Sequence, residues 1–480
     1  MSGIYMAMEI ARKALIVNQV GMQVTANNVA NVNTPGYSRQ EAVITEAGAS
    51  SYNFGQLGLG AVIGGIRRNV DAFTESQLTF ESGVYSSLDY TARSVGQVEG
   101  IFNDTSGASL ADRVTGFYNA WDDLSSNPQG TAERQTVAST AELLAAGFRQ
   151  IDSRLSTLKS DANKDVATLV GEINQTVAQI ADLNGNIKIA TAQGRQANDL
   201  LDQRGVLLKS LAGKVGYTTV TDSLGMVNVY VGNGRVLVDG ETAGSLVADV
   251  DPTNPEPVFD VKIRVPGQDS PASSLDTITT SISGGQLASA IRFRDGYLET
   301  VRERVDRLAY AIGTQANAQH AVGYGLAVGS PPTVPTGMNF FSPLSSVTGA
   351  SRDFRVDPAI AADTRNIAAA ETPLPGDNRN SLLMAGLRNI PMSALGDSAI
   401  PDYIAGMLGQ IGSETRSVDL DMKHQKTVVD YLETRREEIS GVSLDEEMTN
   451  LIKFQRAFEA STKMIAVVDQ LLDSIIQMRG

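Results

Sequence analysis

Both ends of this 480-residue chain carry the pattern of a long amphipathic helix, and this pattern limits the possible folds more than any other feature. Apolar and small residues recur at alternating spacings of four and three from Ile4 to Val29, and Thr34-Pro35-Gly36 then stops the helix. A second stripe runs from Leu444 to Ile475. Isolated helices are marginal in water because most of their stability comes from burying the apolar face. Each terminal stripe therefore needs a partner, which is the other terminus, a neighbouring subunit or the core of its own domain.

Between the two ends, the periodicity is mostly helical. Stripes of apolar residues predict helices over 131–187, 287–312 and 404–439, and Gly171 and Gly185 are candidate breaks in the first of them. A helix as long as the first one, if unbroken, is typical of rod-like architecture rather than of a compact globule.

One segment between the helical stripes has strand patterns instead. Residues 226–231 alternate between polar and apolar, 232–234 form a Gly-Asn-Gly turn signal, and 236–238 return as the second strand of a hairpin. The stretches 258–265 and 275–282 predict further strands. The sequence thus predicts a small β domain inserted into a helical protein.

The predicted fold class is mainly α with an inserted β domain. We expect an elongated, layered axial molecule in which the terminal helices pair as a coiled coil, a helical bundle forms the middle and the β domain lies at the outer pole. The predicted domains are a terminal coiled coil (1–45 plus 441–480), an elongated helical bundle (46–213 plus 284–440), an inserted β domain (214–283) and a loop-rich segment or minor subdomain (323–376).

The composition argues against an enzyme. The chain has no Cys and only two His, so disulfides, thiolate metal sites and thiol nucleophiles are excluded and imidazole catalysis is disfavoured. The densest acidic groups lie at helix starts or on polar faces, and are predicted to be solvated or to complement a helix dipole: Asp122-Asp123, Asp199 with Asp202, and Asp445-Glu446-Glu447. We therefore predict no catalytic residues, no cofactor and no metal site.

The charge argues against nucleic acid and membranes as partners. A formal net charge of −15 repels both nucleic acid and anionic lipid. No apolar run approaches the ~18 residues that span a bilayer. The N-terminal segment places Arg12-Lys13 inside its apolar stripe, which is unlike a secretory signal. We expect no membrane insertion and no nucleic-acid partner.

The densest polar motif follows the first helix. Residues 26–40 read ANNVANVNTPGYSRQ and contain four Asn within seven positions. Amides neither titrate nor attack, so the motif is unsuited to catalysis. Amides do suit backbone capping and lateral hydrogen bonds between packed subunits.

This motif closely resembles the N-terminal signature of the bacterial flagellar axial proteins, which are the rod, hook and hook-associated families. The residues that match the signature are Asn27, Asn28, Asn31, Asn33, Thr34, Pro35, Gly36 and Tyr37. The run 441–448 and the helix after it are similar to the matching C-terminal signature. Segments 198–204, 284–295 and 316–320 resemble the helical domain of the hook-associated family.

The resemblance implies a structural protein that forms the junction between hook and filament, outside the cell, after export by the flagellar type III apparatus. It implies self-assembly in a helical or ring arrangement through the terminal helices. The predicted assembly interface consists of Ile4, Met8, Leu15, Met22, Val29, Leu444, Leu451, Phe454, Phe458, Ile465, Val468, Leu472 and Ile475.

The implied partners are other copies of the chain, hook protein on one side and the second hook–filament junction protein on the other. An export chaperone is expected on the C-terminal helix. Alternatives remain: another axial protein of hook or rod type, a monomeric adhesin or scaffold whose terminal helices complete its own bundle, or a peptidoglycan hydrolase. The last is disfavoured because the strand-rich segment contains no His and no clustered acids.

Overall fold

The computed structural model describes residues 2–52, 55–102, 109–250, 257–328 and 333–477. The helices in chain order are α1 (Ser2–Ala30), α2 (Ala72–Phe102), α3 (Leu110–Ser126), α4 (Thr131–Ala192), α5 (Asn198–Lys214), α6 (Gly285–Arg292), α7 (Leu298–Val322), α8 (Ala350–Asp353), α9 (Pro358–Ala362), α10 (Arg379–Gly386), α11 (Ile400–Ser440) and α12 (Leu444–Gln477). A π-helical turn, Phe293–Tyr297, joins α6 to α7.

The strands are short and all their pairings are antiparallel in the described residues. They are β1 (Gln40–Glu46), β2 (Ala49–Tyr52), β3 (Gly55–Gly58), β4 (Ala61–Arg68), β5 (Tyr217–Thr221), β6 (Val227–Val231), β7 (Arg235–Asp239), β8 (Thr242–Ala243), β9 (Ser245–Val250), β10 (Phe259–Arg264) and β11 (Asp276–Thr277). The sheet orders are β1-β4, β2-β3, β5-β6-β7-β8 and β11-β10-β9. The predicted class, mainly α with an inserted β region, is confirmed.

The chain divides into two compact units. Residues 1–87, 169–286 and 424–480 form the first, which we call the terminal unit, and residues 88–168 and 287–423 form the second, the helical unit. Both chain ends and the β region belong to the terminal unit. The finer four-part division stays a prediction.

In the terminal unit, α1 packs along α12 and also against β1 and β4. The two helices approach closely at Gly21, where a Cβ atom would lie 2.7 Å from Cε1 of Phe454. The β region is attached to α4 through two amide side chains. Asn174 bonds both backbone groups of Leu246 at 2.7–2.8 Å, and the buried Asn184 donates to the carbonyls of Val227 and Gly240.

The core of the helical unit is built around an aromatic cluster. Phe117 and Trp121 of α3 are fully buried against Phe340 and Phe341, with ring centroids 5.3–5.7 Å apart for the pairs between the two segments. Phe354 continues the cluster, 4.5 Å from Phe341. The segment 333–376 therefore contributes core side chains, although its helices are short.

Two local expectations were wrong. Neither Gly171 nor Gly185 breaks α4, which continues for 62 residues. The stretch 275–282 is not a strand: after the two residues of β11 it forms a 3₁₀ turn at Thr279–Ser281. Leu275 and Ile278 are nevertheless buried. The apolar pattern therefore identified buried positions correctly, although the backbone there is not a strand.

Candidate assembly site

Asn28, in the last turn of α1, is the centre of a buried hydrogen-bond network. Its Nδ2 donates to the carbonyl of Gln40 at 2.9 Å and to Oε2 of Glu447 at 3.0 Å. Its Oδ1 accepts from the amide of Gln40 at 3.0 Å and from the hydroxyl of Tyr37 at 2.8 Å. Every hydrogen-bonding position of this amide is used. Asn28 therefore ties the end of α1 to the start of β1 and to the first turn of α12.

Glu447 has a second partner in Arg39. The Nε atom of Arg39 lies 2.7 Å from Oε1 of Glu447, and its NH1 lies 3.2 Å from Glu446. Glu447 lies in the first turn of α12, as the predicted dipole complementation requires, but it is 1 % exposed and therefore not solvated. A buried carboxylate is retained because one cation and one amide satisfy it.

The turn that follows α1 is closed by the other residues of the motif. Asn31 donates to the carbonyl of Asn27 at 3.0 Å and accepts from the hydroxyl of Thr34 at 3.1 Å. Gly36 has φ of +79°, and a Cβ atom there would lie 2.2 Å from Cγ2 of Val206 in α5. Only glycine combines this backbone conformation with such a close approach. Asn33, Thr34 and Pro35 are exposed.

A second set of bonds fixes the motif to the start of α5. Asp202 accepts from the amide and hydroxyl of Ser38, at 3.1 and 2.8 Å, and pairs with Arg68 at 2.5 Å. Asp199 accepts from Nε2 of Gln40 at 2.7 Å. Asp202 is buried, so its predicted solvated position was wrong. The segment 198–204 and the Asn-rich motif, which sequence analysis related to the family separately, bind each other.

Tyr37 lies in an electronegative environment. Burial raises the pKa of its hydroxyl to about 12, and the negative charges of Asp199, Asp202 and Glu447 contribute in the same direction. The hydroxyl therefore stays protonated and donates its hydrogen to Asn28. We call this network, centred on Asn28, Glu447 and Asp202, the structural joint.

Most of the predicted interface residues on α1 and α12 are at least half-buried. The half-buried or buried members are Ile4, Leu15, Met22, Val29, Leu451, Phe454, Phe458, Ile465, Val468 and Leu472. Three members are exposed instead: Met8, Leu444 and Ile475.

Large apolar side chains of α12 also lie outside its α1-facing stripe, and sequence analysis did not identify them. Six are each at least half exposed: Met448, Ile452, Met464, Val467, Leu471 and Ile476. The first five lie on the side away from α1, which we call the open face of α12, and Ile476 lies near the helix end on the α1-facing side. On α1, Tyr5 and Ile16 are also exposed.

Within the described residues, no group of three or more His, Asp or Glu side chains is placed to hold a metal ion. No helix in that part of the chain is both long and apolar enough to cross a membrane. The described geometry is that of paired chain ends locked by a buried joint.

Paired terminal helices with an Asn-rich joint place the chain among the axial structural proteins of the bacterial flagellum, and comparisons with known families agree. Residues 8–37 match the model of the flagella basal body rod protein, and residues 434–478 match that of the flagellar basal body rod FlgEFG protein C-terminal region. Residues 95–341, just over half of the chain, match the flagellar hook-associated protein FlgK helical domain. The chain belongs to the flagellar hook-associated protein FlgK family.

Individual proteins give the same result. Flagellar hook-associated protein 1 of Bacillus subtilis is 28 % identical, with 100 % of this chain and 99 % of the relative aligned. The protein of that name in Escherichia coli is 25 % identical over 98 % of this chain and 99 % of the relative. The flagellar hook junction protein FlgK of Burkholderia pseudomallei has a similar fold, with a TM-score of 0.64 at 18 % identity, covering 76 % of this chain and 100 % of that one.

These findings confirm the predicted family and the predicted flagellar location. The chain is a structural, hook-associated component of the bacterial flagellum, and its relatives are structural flagellar proteins.

Proposed function

We propose that the chain builds the junction between hook and filament by self-assembly, and that the open apolar face of the terminal helix pair is the contact between copies. The observation that carries this proposal is the set of large apolar side chains on α12 that remain exposed after α1 has covered the opposite face. Met464, Val467 and Leu471 follow one another at spacings of three and four, and clustered exposed apolar side chains of this kind mark interaction sites.

The free energy gained by burying these side chains is large enough to drive assembly. Full burial of a large apolar side chain contributes about 1.5–3 kcal/mol. Six side chains that are half exposed would therefore add roughly 6 kcal/mol per copy, before the entropy of association is deducted. In a closed or helical array, the free energies of many such contacts would add together.

The predicted interface residues have a specific place in this proposal. Those at the α1–α12 contact, such as Phe454 and Val468, hold the pair together and so fix the direction of the open face. Hook protein and the second junction protein are the proposed neighbours along the axis. The open face of α12 is also the proposed binding surface of an export chaperone, because it is apolar and must be covered before assembly.

No catalytic role is part of this proposal. The side chains of the structural joint, such as Asn28, Glu447 and Asp202, hydrogen-bond to other parts of the same chain. The relatives are structural flagellar proteins. Incubation of the full chain with cell-wall sacculi tests the rival assignment: release of soluble muropeptides would show a hydrolase, and we expect none.

The assembly surface is tested by introducing charge on the open face. The double variant Met464→Asp with Leu471→Asp should fold normally but fail to enter flagella, leaving hooks without filaments. The matched control is Val220→Asp on β5, which is 57 % exposed and lies outside the terminal pair. Normal incorporation of the double variant, measured by immunolabelling in cells lacking any other copy, would contradict the proposal.

A further inference from the structure

A groove of about 630 Å³ lies beside the turn that follows α1. Its apolar lining comes from Pro35 in the turn, Leu183 in α4, and Val206 and Leu207 in α5. We call it the acidic groove because of the side chains at its edge.

The charge of the groove comes from three carboxylates. Asp182, Asp199 and Asp202 line it. Asp182 is exposed and has no hydrogen bond or ion pair within the part of the chain that the structure describes, and Asp199 is exposed with one bond to Gln40. Tyr37 also lines the groove, and its pKa is raised mainly by burial and further by the negative charges of Asp199, Asp202 and Glu447. Asp202 is already paired with Arg68, so the acids open to a partner are Asp182 and, beside its single bond to Gln40, Asp199. An apolar floor with these two exposed acids is suited to a helix that carries both apolar and basic side chains.

The chain itself contains such a helix face. Ile452, Arg456, Lys463 and Val467 follow one another at spacings of four, seven and four, which places them on one side of α12. This side is opposite Phe454, Phe458 and Ser461, which face α1, and all four side chains are exposed. Among the described residues, Arg456 and Lys463 have no ion-pair or hydrogen-bond partner.

We propose that the acidic groove receives this face of α12 from a second copy of the chain, with Arg456 and Lys463 on the groove carboxylates and Ile452 and Val467 on its apolar floor. The inference rests on the proposed self-assembly. It adds which surface of the second copy binds α12 and which opposite charges meet there. Complementary charge of this kind fixes which surfaces meet and suppresses wrong pairings.

The absence of Cys from the sequence makes a direct test clean. One copy carries Gln203→Cys, at an exposed position lining the groove, and another carries Ala460→Cys, on the exposed side of α12 between Arg456 and Lys463. When both are expressed in cells that lack any other copy, every disulfide must join two copies. Oxidation of isolated flagella should produce a dimer on a non-reducing gel.

The control pair replaces Gln203→Cys by Asp239→Cys, an exposed position at the end of β7. A second pair, Gln179→Cys with Ala460→Cys, repeats the test should the first pair be poorly produced, and it leaves both cations in place. If these variants enter flagella normally but yield no more dimer than the control pair, the groove is not the receiving surface, and the proposed function still stands. Loss of assembly by the apolar-to-Asp double variant is the separate criterion for that function.

Charge reversal gives an independent readout. Arg456→Glu with Lys463→Glu should lower incorporation about tenfold, and adding Asp182→Lys to the same chain should recover a large part of the loss. Recovery by Asp239→Lys, to the same extent, would overturn the assignment, because it would show that only net charge matters.

Discussion

Asn28 and Glu447 are 419 positions apart in the chain and are joined by a 3.0 Å hydrogen bond in the interior of the terminal unit. Each is only 1 % exposed. The bond connects the end of the first helix to the beginning of the last, so the two chain ends are held by a specific polar contact in addition to their apolar stripes. Four predictions follow from this joint and from the cores of the two units.

Asn28→Ala should destabilise the terminal unit by about 2–4 kcal/mol, because it leaves Glu447, Tyr37 and the backbone of Gln40 without their buried partner. Asn33→Ala, at an exposed position of the same motif, should change stability by less than about 0.5 kcal/mol. Urea unfolding followed by circular dichroism measures the loss. Equal effects of the two substitutions would show that the buried network is not a source of stability.

Gly21→Val should separate α1 from α12, since the new side chain would occupy the position of the Phe454 ring. We expect faster cleavage of both chain ends in limited proteolysis and a loss of about 2 kcal/mol or more. Adding Phe454→Ala to Gly21→Val should recover part of that loss, because it makes space. Gly3→Ala is the control: nothing lies within 4 Å of its Cβ, so it should be neutral or slightly stabilising.

Gly36→Ala combines two penalties, an unfavourable positive φ and a clash with Val206. The double variant Gly36→Ala with Val206→Ala removes the clash and should keep only the conformational cost, about 1 kcal/mol. A double-mutant cycle of thermal unfolding separates the two. If both variants lose the same stability, the contact with Val206 is not a constraint on this turn.

His320 should make the helical unit sensitive to acid. The ring is buried, Nδ1 donates to the carbonyl of Met338 at 2.7 Å, and Nε2 accepts from the amide of Ala368 at 2.9 Å. The neutral ring satisfies both bonds, and burial lowers its pKa from 6.5 to about 4. Between these values the unfolded chain binds a proton that the folded chain does not, so stability falls as the pH drops, by on the order of 3 kcal/mol.

The measurement uses Trp121, the single Trp of the chain, whose ring centroid lies 6.2 Å from that of His320. Its fluorescence reports unfolding near this site. His320→Gln cannot gain this proton, so the difference in stability between wild type and variant should shrink as the pH falls from 6.5 to 4. A constant difference would mean that the histidine is not the acid-sensitive group.

The terminal helices were predictable because their signal is strong and local. The stripe from Ile4 to Val29 falls within α1, and the stripe from Leu444 to Ile475 falls within α12. Both are long, and Thr34-Pro35-Gly36 gives the first a definite stop. By contrast, α2 was missed, since Ser, Thr and Gly interrupt its apolar pattern and lower its intrinsic helix propensity.

The joint was predictable only in part. The Asn-rich motif stood out in the sequence as suited to backbone capping and to bonds between subunits, and Asn28 does bond the backbone of Gln40, but its bond to Glu447 in the distant α12 was not expected. Asp202 and Glu447 looked like ordinary surface acids, because nothing local in the sequence shows that Ser38, Arg39 and Arg68 will surround them. Contacts between distant segments leave no periodic trace, and neither does the close approach at Gly21.

The bond between Asn28 and Glu447 also means that the terminal unit cannot finish folding until α12 has been synthesised. A chain that has been extended only as far as α11 contains Asn28, Tyr37 and Gln40 but not the carboxylate that closes their network. Closing so long a loop is entropically costly and slow compared with the formation of local helices. The end of α1 is therefore held in place only after α12, a helix of 34 residues, has supplied the carboxylate that accepts the bond from Asn28.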